Sequence, residues 1–121
     1  MFEHVRQFEK QIADFYGAPY AVATDSCTHA VELCLRLHRP SVASLPKHTY
    51  LSIPMTFMKL DIPFIWAHRK WSDMYSIKGT NIIDAAVLWE PDSYQSHTNM
   101  CLSFQFKKHL GLGRGGMILT C

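Results

Sequence analysis

The sequence lacks long hydrophobic runs, since no stretch approaches the roughly 18 consecutive apolar residues that span a bilayer. Charge of one sign is also scarce, because 12 Lys and Arg residues oppose 10 Asp and Glu residues and leave a formal net charge of +2. So small a net charge argues against nucleic acid or a membrane surface as the partner. The N-terminus shows no signal-peptide pattern, so the sequence favours a cytoplasmic protein.

Metal-binding and redox motifs are missing too. The four cysteines include no C-x-x-C pair, which excludes a zinc knuckle and a thioredoxin motif. The seven histidines form neither an H-E-x-x-H nor an H-x-x-x-H pattern. We therefore expect buried, reduced thiols and no metal site.

The residues that are present predict one α/β domain over residues 1–121. With 48% hydrophobic and 18% charged residues, the chain is typical of a folded globular protein. Apolar spacing predicts a helix over 3–16 that ends at Gly17, and a helix over about 27–38 capped by Asp25 or Ser26. Leu33, Cys34 and Leu37 are expected on the inner side of that second helix. A third helix is predicted over 50–60, and apolar runs predict six strands, at 20–24, 41–45, 63–67, 81–85, 100–104 and 117–120.

The alternation of strands and helices predicts a mostly parallel sheet of about six strands with flanking helices. Segment 68–79 is polar and is expected to be irregular. Ligands of such sheets bind outside the carboxyl ends of the strands, and three notable features fall there. They are the strand-to-helix turn at 24–29, the acidic residue Asp84, and the glycine-rich loop that follows the strand at 100–104.

Each feature has a plain structural interpretation beside a functional one. The turn at 24–29 offers hydroxyls and helix N-terminal N–H groups for a phosphate, or it is an ordinary helix cap. Asp84 could pair with a cationic ring nitrogen, or cap the next turn. The loop at 103–116 holds four of the six glycines and the pair Lys107-Lys108. A lysine there can form an imine with an aldehyde, or the loop is a flexible surface segment.

Together these segments resemble the DegT/DnrJ/StrS sugar aminotransferases, a branch of the fold type I enzymes that use pyridoxal 5'-phosphate (PLP). Residues 103–116 are similar to the S-F-x-x-x-K-x-L-x-x-G-E-G-G signature of that family. Residues 82–86 resemble its I-E-D-A-A segment, residues 27–31 its G-T-x-A-L loop, and Thr49-Tyr50 its T-F or T-W pair. The likeness extends over nearly the whole chain in order.

The resemblance implies a reduced fold type I large domain with a PLP site. Lys108 would form the Schiff base, Asp84 would pair with the protonated ring nitrogen, and Tyr50 would stack on the ring. The two loops would supply the residues around the phosphate, namely Ser103, Thr28, Cys27 and His29. The implied reaction transfers an amino group from a small amine donor to a keto sugar carried on a nucleotide. The implied assembly is a homodimer, or a heteromer with a chain supplying a C-terminal part.

Three residues depart from the family pattern: Val87 replaces a glutamine or histidine, Cys27 a glycine, and Arg114 a glutamate. The tract after Trp66 is short by one strand and its helix, so we expect strand 81–85 directly beside strand 41–45. These departures, and the missing C-terminal domain, keep a rival hypothesis open. It is a non-catalytic PLP-fold remnant, or half of a split enzyme, that serves as a binding module. A generic α/β domain without a cofactor would leave the lysine loop unexplained.

Overall fold

The computed structural model describes residues 2–105 and 113–121, which form an α/β fold. Its helices are α1 (Glu3–Tyr16), α2 (Cys27–Leu37) and α3 (Ser52–Lys59). Every predicted helix and strand is present within a few residues of its expected bounds, and one short strand was not predicted. The strands are β1 (Tyr20–Thr24), β2 (Ala43–Pro46), β3 (Phe64–Ala67), β4 (Tyr75–Ser76), β5 (Ile82–Asp84), β6 (Asn99–Ser103) and β7 (Gly116–Thr120).

The ends of the first two helices follow the capping signals in the sequence. Gly17 closes α1 in the left-handed conformation (φ 75°), and its N–H reaches the carbonyls of Ala13 and Asp14. Ser26 caps α2, because its hydroxyl accepts the backbone N–H of His29 at 3.1 Å. The cap fixes the start of α2 immediately after β1, and that placement brings the N-terminus of α2 to the edge of the sheet.

The main sheet is mixed, so the expectation of a mostly parallel six-stranded sheet was wrong. Five strands pair in the order β1-β7-β6-β5-β4, and β2 pairs with β3 in a separate two-stranded sheet. Of these pairs, β5–β6 and β2–β3 are parallel. Strand β7 is antiparallel to both neighbours, because Gly116 at its start pairs with Ser103 at the end of β6. An apolar run indicates burial on both faces, but it carries no information about strand direction.

The segment Tyr75–Lys78 lies between β5 and β2, so the prediction that those two strands are direct neighbours was also wrong. On one side, the Ile77 N–H donates to the Ile82 carbonyl at 2.9 Å. On the other side, the Ser44 N–H donates to the Lys78 carbonyl at 2.9 Å. The tract expected to be irregular therefore supplies extended backbone that connects the two sheets by hydrogen bonds.

Two hydrophobic clusters cover opposite faces of the main sheet, because successive strand residues point to opposite sides. Ile82 and Cys101 pack with α2 and α3, whereas Ile83 and Met100 pack with α1. The inner side of α2 differs from the prediction: Leu33 and Leu37 are 51% and 75% exposed. Its buried residues are Ala30, Val31, Cys34 and Leu35, so of the three predicted inner residues Cys34 alone is buried.

Candidate functional site

A cleft opens where the carboxyl ends of β5 and β6 meet the N-terminus of α2. Its empty space amounts to about 380 Å³ when the part open to solvent is included. Five of the six residues that the sequence assigns to cofactor binding line this cleft. Its polar lining includes hydroxyls, a thiol, a carboxylate and an amide residue, from Thr28, Tyr50, Ser52, Ser103, Cys27, Asp84 and Gln105.

One end of the cleft is rich in hydroxyl groups at the start of α2. The Thr28 hydroxyl donates to the Ser52 hydroxyl at 3.1 Å, and the Ser103 hydroxyl accepts the Gln105 N–H at 3.3 Å. The helix macrodipole makes its N-terminus electropositive, and hydroxyls beside it add donors for an anion. This end of the cleft has the chemistry of a phosphate site. Ser52 was missed by sequence reasoning, although a serine at the start of a predicted helix is a recognisable signal.

Gly116 allows β7 to pass very close to the same helix end. A Cβ atom at this position would lie 2.5 Å from the Ser26 carbonyl carbon and 2.6 Å from the Cys27 nitrogen. Gly116 also pairs with Thr24 in β1 and with Ser103 in β6, so the strand is held on both sides. Only a residue without a side chain fits here, so this glycine sets the distance between the sheet and the hydroxyl-rich end of the cleft at the start of α2.

The cleft also contains a carboxylate, that of Asp84 at the end of β5. Its side chain is buried, with the residue only 3% exposed. One carboxylate oxygen accepts the Tyr75 hydroxyl at 2.8 Å, and the other accepts the Ala86 N–H at 3.1 Å. A buried carboxylate needs such donors, because burial alone penalises its charged form.

Tyr75 is the site-associated residue that sequence reasoning missed most clearly. It is 5% exposed, and its hydroxyl is hydrogen-bonded to both Asp84 and the Thr49 hydroxyl. Burial, followed by the negative charge of Asp84, raises the pKa of Tyr75 well above its ordinary value. The sequence does alternate apolar, polar and apolar at Tyr75, Ser76 and Ile77, but three residues are too few to indicate a strand.

Among the predicted site residues that the structure describes, His29 does not line this cleft. His29 is half exposed and its ring pairs with the carboxylate of Asp25. That hydrogen bond is the main reason why the pKa of Asp25 lies below its ordinary value. Lys108, the predicted covalent lysine, lies outside the described residues.

A metal-binding cluster and a membrane-spanning helix are both absent from the described residues. No group of three or more His, Cys, Asp or Glu side chains is arranged there to hold a metal ion. Within residues 2–105 and 113–121, the helices are too short or too polar to cross a membrane.

Comparisons with known proteins point to one family. Residues 1–59 match the model of the DegT/DnrJ/EryC1/StrS aminotransferase family. That segment includes Cys27, Thr28 and Tyr50 of the cleft. Curated protein sequences give no match to this chain.

Solved structures match nearly the whole chain. AtS13 from Actinomadura melliaura has 20% identity and a TM-score of 0.77, and the match covers 96% of this chain and 45% of AtS13. Spr1654 from Streptococcus pneumoniae in its PLP form has 13% identity, a TM-score of 0.75, and coverage of 94% and 44%. DesI in the presence of its TDP-sugar product has 17% identity, a TM-score of 0.73, and coverage of 96% and 41%.

This chain therefore spans less than half the length of the structures that it matches, and at these identities the likeness establishes the fold alone. The fold match extends beyond residue 59 and includes the strands that carry Asp84 and Ser103. The family match and the fold match agree with each other. The chain is similar to the DegT/DnrJ/EryC1/StrS aminotransferases: residues 1–59 match their family model, and nearly the whole chain has the fold of the matched structures.

Proposed function

We propose that this chain binds PLP and acts in amino-group transfer to a keto sugar carried on a nucleotide. The observation that carries the proposal is the convergence of Thr28, Tyr50, Asp84 and Ser103 on one cleft. These residues come from four separate parts of the sequence, and each matches a different family motif. A cleft that combines a buried carboxylate with an anion-binding end suits a ligand with a cationic ring and a phosphate.

The residues of the cleft fit PLP by their chemistry. The hydroxyls of Thr28, Ser52 and Ser103, beside the N-terminus of α2, would hold the phosphate. Asp84 would pair with the protonated ring nitrogen, and Tyr50, which is 51% exposed on the cleft wall, offers an aromatic face to the ring. Lys108 would attach the cofactor covalently, as the signature in residues 103–116 implies. When bound, PLP supplies an electron sink that stabilises a carbanion on the amine substrate.

The contributions of the protein follow from the environment of each group. Hydrogen bonds from the Tyr75 O–H and the Ala86 N–H favour the carboxylate form of Asp84. The negative charge of Asp84 would stabilise the proton on the ring nitrogen of the bound cofactor. The amine of Lys108 would move the proton at the substrate carbon, acting as general base and then as general acid.

The substrate and the assembly are part of the proposal. DesI was solved with its TDP-sugar product, which supports a nucleotide-linked sugar as acceptor and a small amine as donor. Leu51, which directly precedes α3, is 73% exposed, and Met55 and Met58 within α3 are 56% and 68% exposed at helical spacing from it. Such a stripe supports burial against another subunit, in a homodimer or in a heteromer with a chain that supplies further domains. The apolar residues Phe106, Leu110 and Leu112, which the sequence suggests for this contact, lie outside the described residues. A cytoplasmic location remains a proposal.

A second candidate is a non-catalytic PLP-fold binding module, or one half of a split enzyme. The specific observation in its favour is that Val87 and Cys27 stand at positions where the family pattern has other residues. The two candidates differ in turnover and agree in cofactor binding.

Titration with PLP tests the shared part of both candidates. The parent chain should develop a visible absorbance band that saturates with PLP, and Asp84→Asn should bind more weakly or show a shifted band. Asp73→Asn, an exposed carboxylate outside the cleft, is the matched control and should behave like the parent. Adding an amino acid and then a nucleotide-linked keto sugar should change the band in turn if the chain is an enzyme. A stable band without turnover would favour the binding module, and no band would refute both.

A further inference from the structure

Tyr75 is the central residue of a hydrogen-bonded chain that ends at the carboxylate of Asp84. Its hydroxyl lies 2.8 Å from an Asp84 oxygen and is also hydrogen-bonded to the Thr49 hydroxyl. Both Tyr75 and Asp84 are buried, at 5% and 3% exposed. The two residues are also direct partners in the β4–β5 ladder, so the backbone fixes their separation.

The direction of these hydrogen bonds follows from proton counting. A carboxylate can only accept, so the single hydroxyl proton of Tyr75 is donated to Asp84. The Tyr75 oxygen then accepts, and Thr49 must be the donor in the second bond. Each bond polarises the next in such a chain, which strengthens the donation to the carboxylate.

We propose that Tyr75 is the positioning residue of the candidate cofactor site, which holds Asp84 ionised and oriented in the cleft. This inference rests on the proposed PLP function. Two donors from different parts of the chain fix the carboxylate, because Ala86 N–H holds one oxygen and Tyr75 holds the other. Without Tyr75, the buried Asp84 carboxylate would lose one of its hydrogen-bond donors, and its ionised form would be less favoured.

The surroundings of this pair keep the proton on Tyr75. Among the described residues, the titratable groups near Tyr75 and Asp84 include the thiols of Cys27 and Cys101. Burial and the charge of Asp84 raise the pKa of Tyr75, whereas the hydrogen bond with Cys34, followed by burial, raises the pKa of the Cys101 thiol. The phenol therefore stays a donor at neutral pH. Trp71 packs on its ring with centroids 4.8 Å apart, which restricts the ring further.

Tyr75→Phe tests the inference, with Tyr16→Phe as the matched control. Tyr16 is 1% exposed and its hydroxyl donates to the Leu88 carbonyl at 2.7 Å, so both changes remove one buried phenol hydrogen bond. Tyr16 packs in the cluster on the α1 side of the sheet, away from the cleft. Binding is measured for PLP and for an analogue in which carbon replaces the ring nitrogen. Tyr75 should affect binding only through Asp84, the proposed partner of that nitrogen, so the analogue should be insensitive to the change.

Tyr75→Phe should weaken PLP binding by about tenfold or more, and should change binding of the analogue by less than about twofold. Thr49→Val, which removes the donor to Tyr75, should give a smaller loss in the same direction and provides a second variant if Tyr75→Phe fails to fold. Equal losses for both ligands, or equal behaviour of Tyr75→Phe and Tyr16→Phe, would overturn the inference and leave the proposed function intact. A parent chain that does not bind PLP would overturn both.

Discussion

Gly116→Ala should damage stability and cofactor binding together, because it pushes the sheet away from the start of α2. The added Cβ would lie 2.5–2.6 Å from three backbone atoms of Ser26 and Cys27, where real Cβ contacts are almost never under 3.0 Å. Relief requires a shift of about half an ångström or more, and backbone atoms cannot rotate aside as a side chain can. Strand β7 is held by Thr24 and Ser103 on its two sides, so the shift falls on the N-terminus of α2.

Overpacking of this kind costs about 1–3 kcal/mol of unfolding free energy. Moving the N-terminus of α2 from Ser103 should also weaken PLP binding, by about tenfold, which corresponds to about 1.4 kcal/mol. Urea unfolding and PLP titration measure the two effects. The control is Ile12→Val in α1, where the residue is 4% exposed: it should lose about 0.5–1.5 kcal/mol of stability without losing PLP affinity. Parent-like stability and affinity in Gly116→Ala would refute the close approach of β7 to α2.

Two further predictions concern the buried side of α2 and the hydrogen bond between Asp25 and His29 at its start. Leu35→Ala should lower the free energy of unfolding in urea by about 2–5 kcal/mol, because Leu35 is fully buried. Leu33→Ala should lower it by less than about 0.5 kcal/mol, because Leu33 is exposed. The reverse order would mean that α2 is rotated about its axis. The hydrogen bond from His29 lowers the pKa of Asp25 in the folded protein. This bond therefore stabilises the fold at pH values above the pKa that Asp25 has in the unfolded chain, and the stabilisation is lost as the pH falls through the pKa of Asp25 in the folded protein. Asp25→Asn should therefore lower the melting temperature slightly at neutral pH and not at all below about pH 3, and a larger difference in acid would contradict this.

The sequence predicted the positions of the elements well, because capping and periodicity are local signals. Ser26 and Gly17 mark helix ends through contacts with residues within a turn of them. The apolar runs at 82–83 and 117–119 likewise indicate buried strands. Strand order and direction depend on pairings between distant residues, such as Ser103 with Gly116, and those are not encoded in any one segment. This is why the mixed sheet was not predicted.

The candidate site was predicted where family motifs carry it and missed where they do not. Thr28, Asp84 and Ser103 were assigned from motifs, and all three line the cleft. Tyr75 lies in the tract that departs from the family pattern, so no motif pointed to it, and its strand of two residues is too short for a clear period. The prediction of which side of α2 faces the core was wrong for a different reason. Hydrophobicity alone does not distinguish Leu33 from Leu35 when both sides of a helix carry leucines.

Covalent trapping of the cofactor tests the central claim most directly. The protein is mixed with PLP, reduced with borohydride, digested, and mapped by mass spectrometry, with Lys107→Ala and Lys108→Ala as a matched pair of variants. We predict that the pyridoxyl group is found on Lys108 in the parent and in Lys107→Ala, and is lost in Lys108→Ala. Recovery of the label on Lys107, or on no lysine of a protein that is otherwise folded, would contradict the assignment of this cleft as a PLP site.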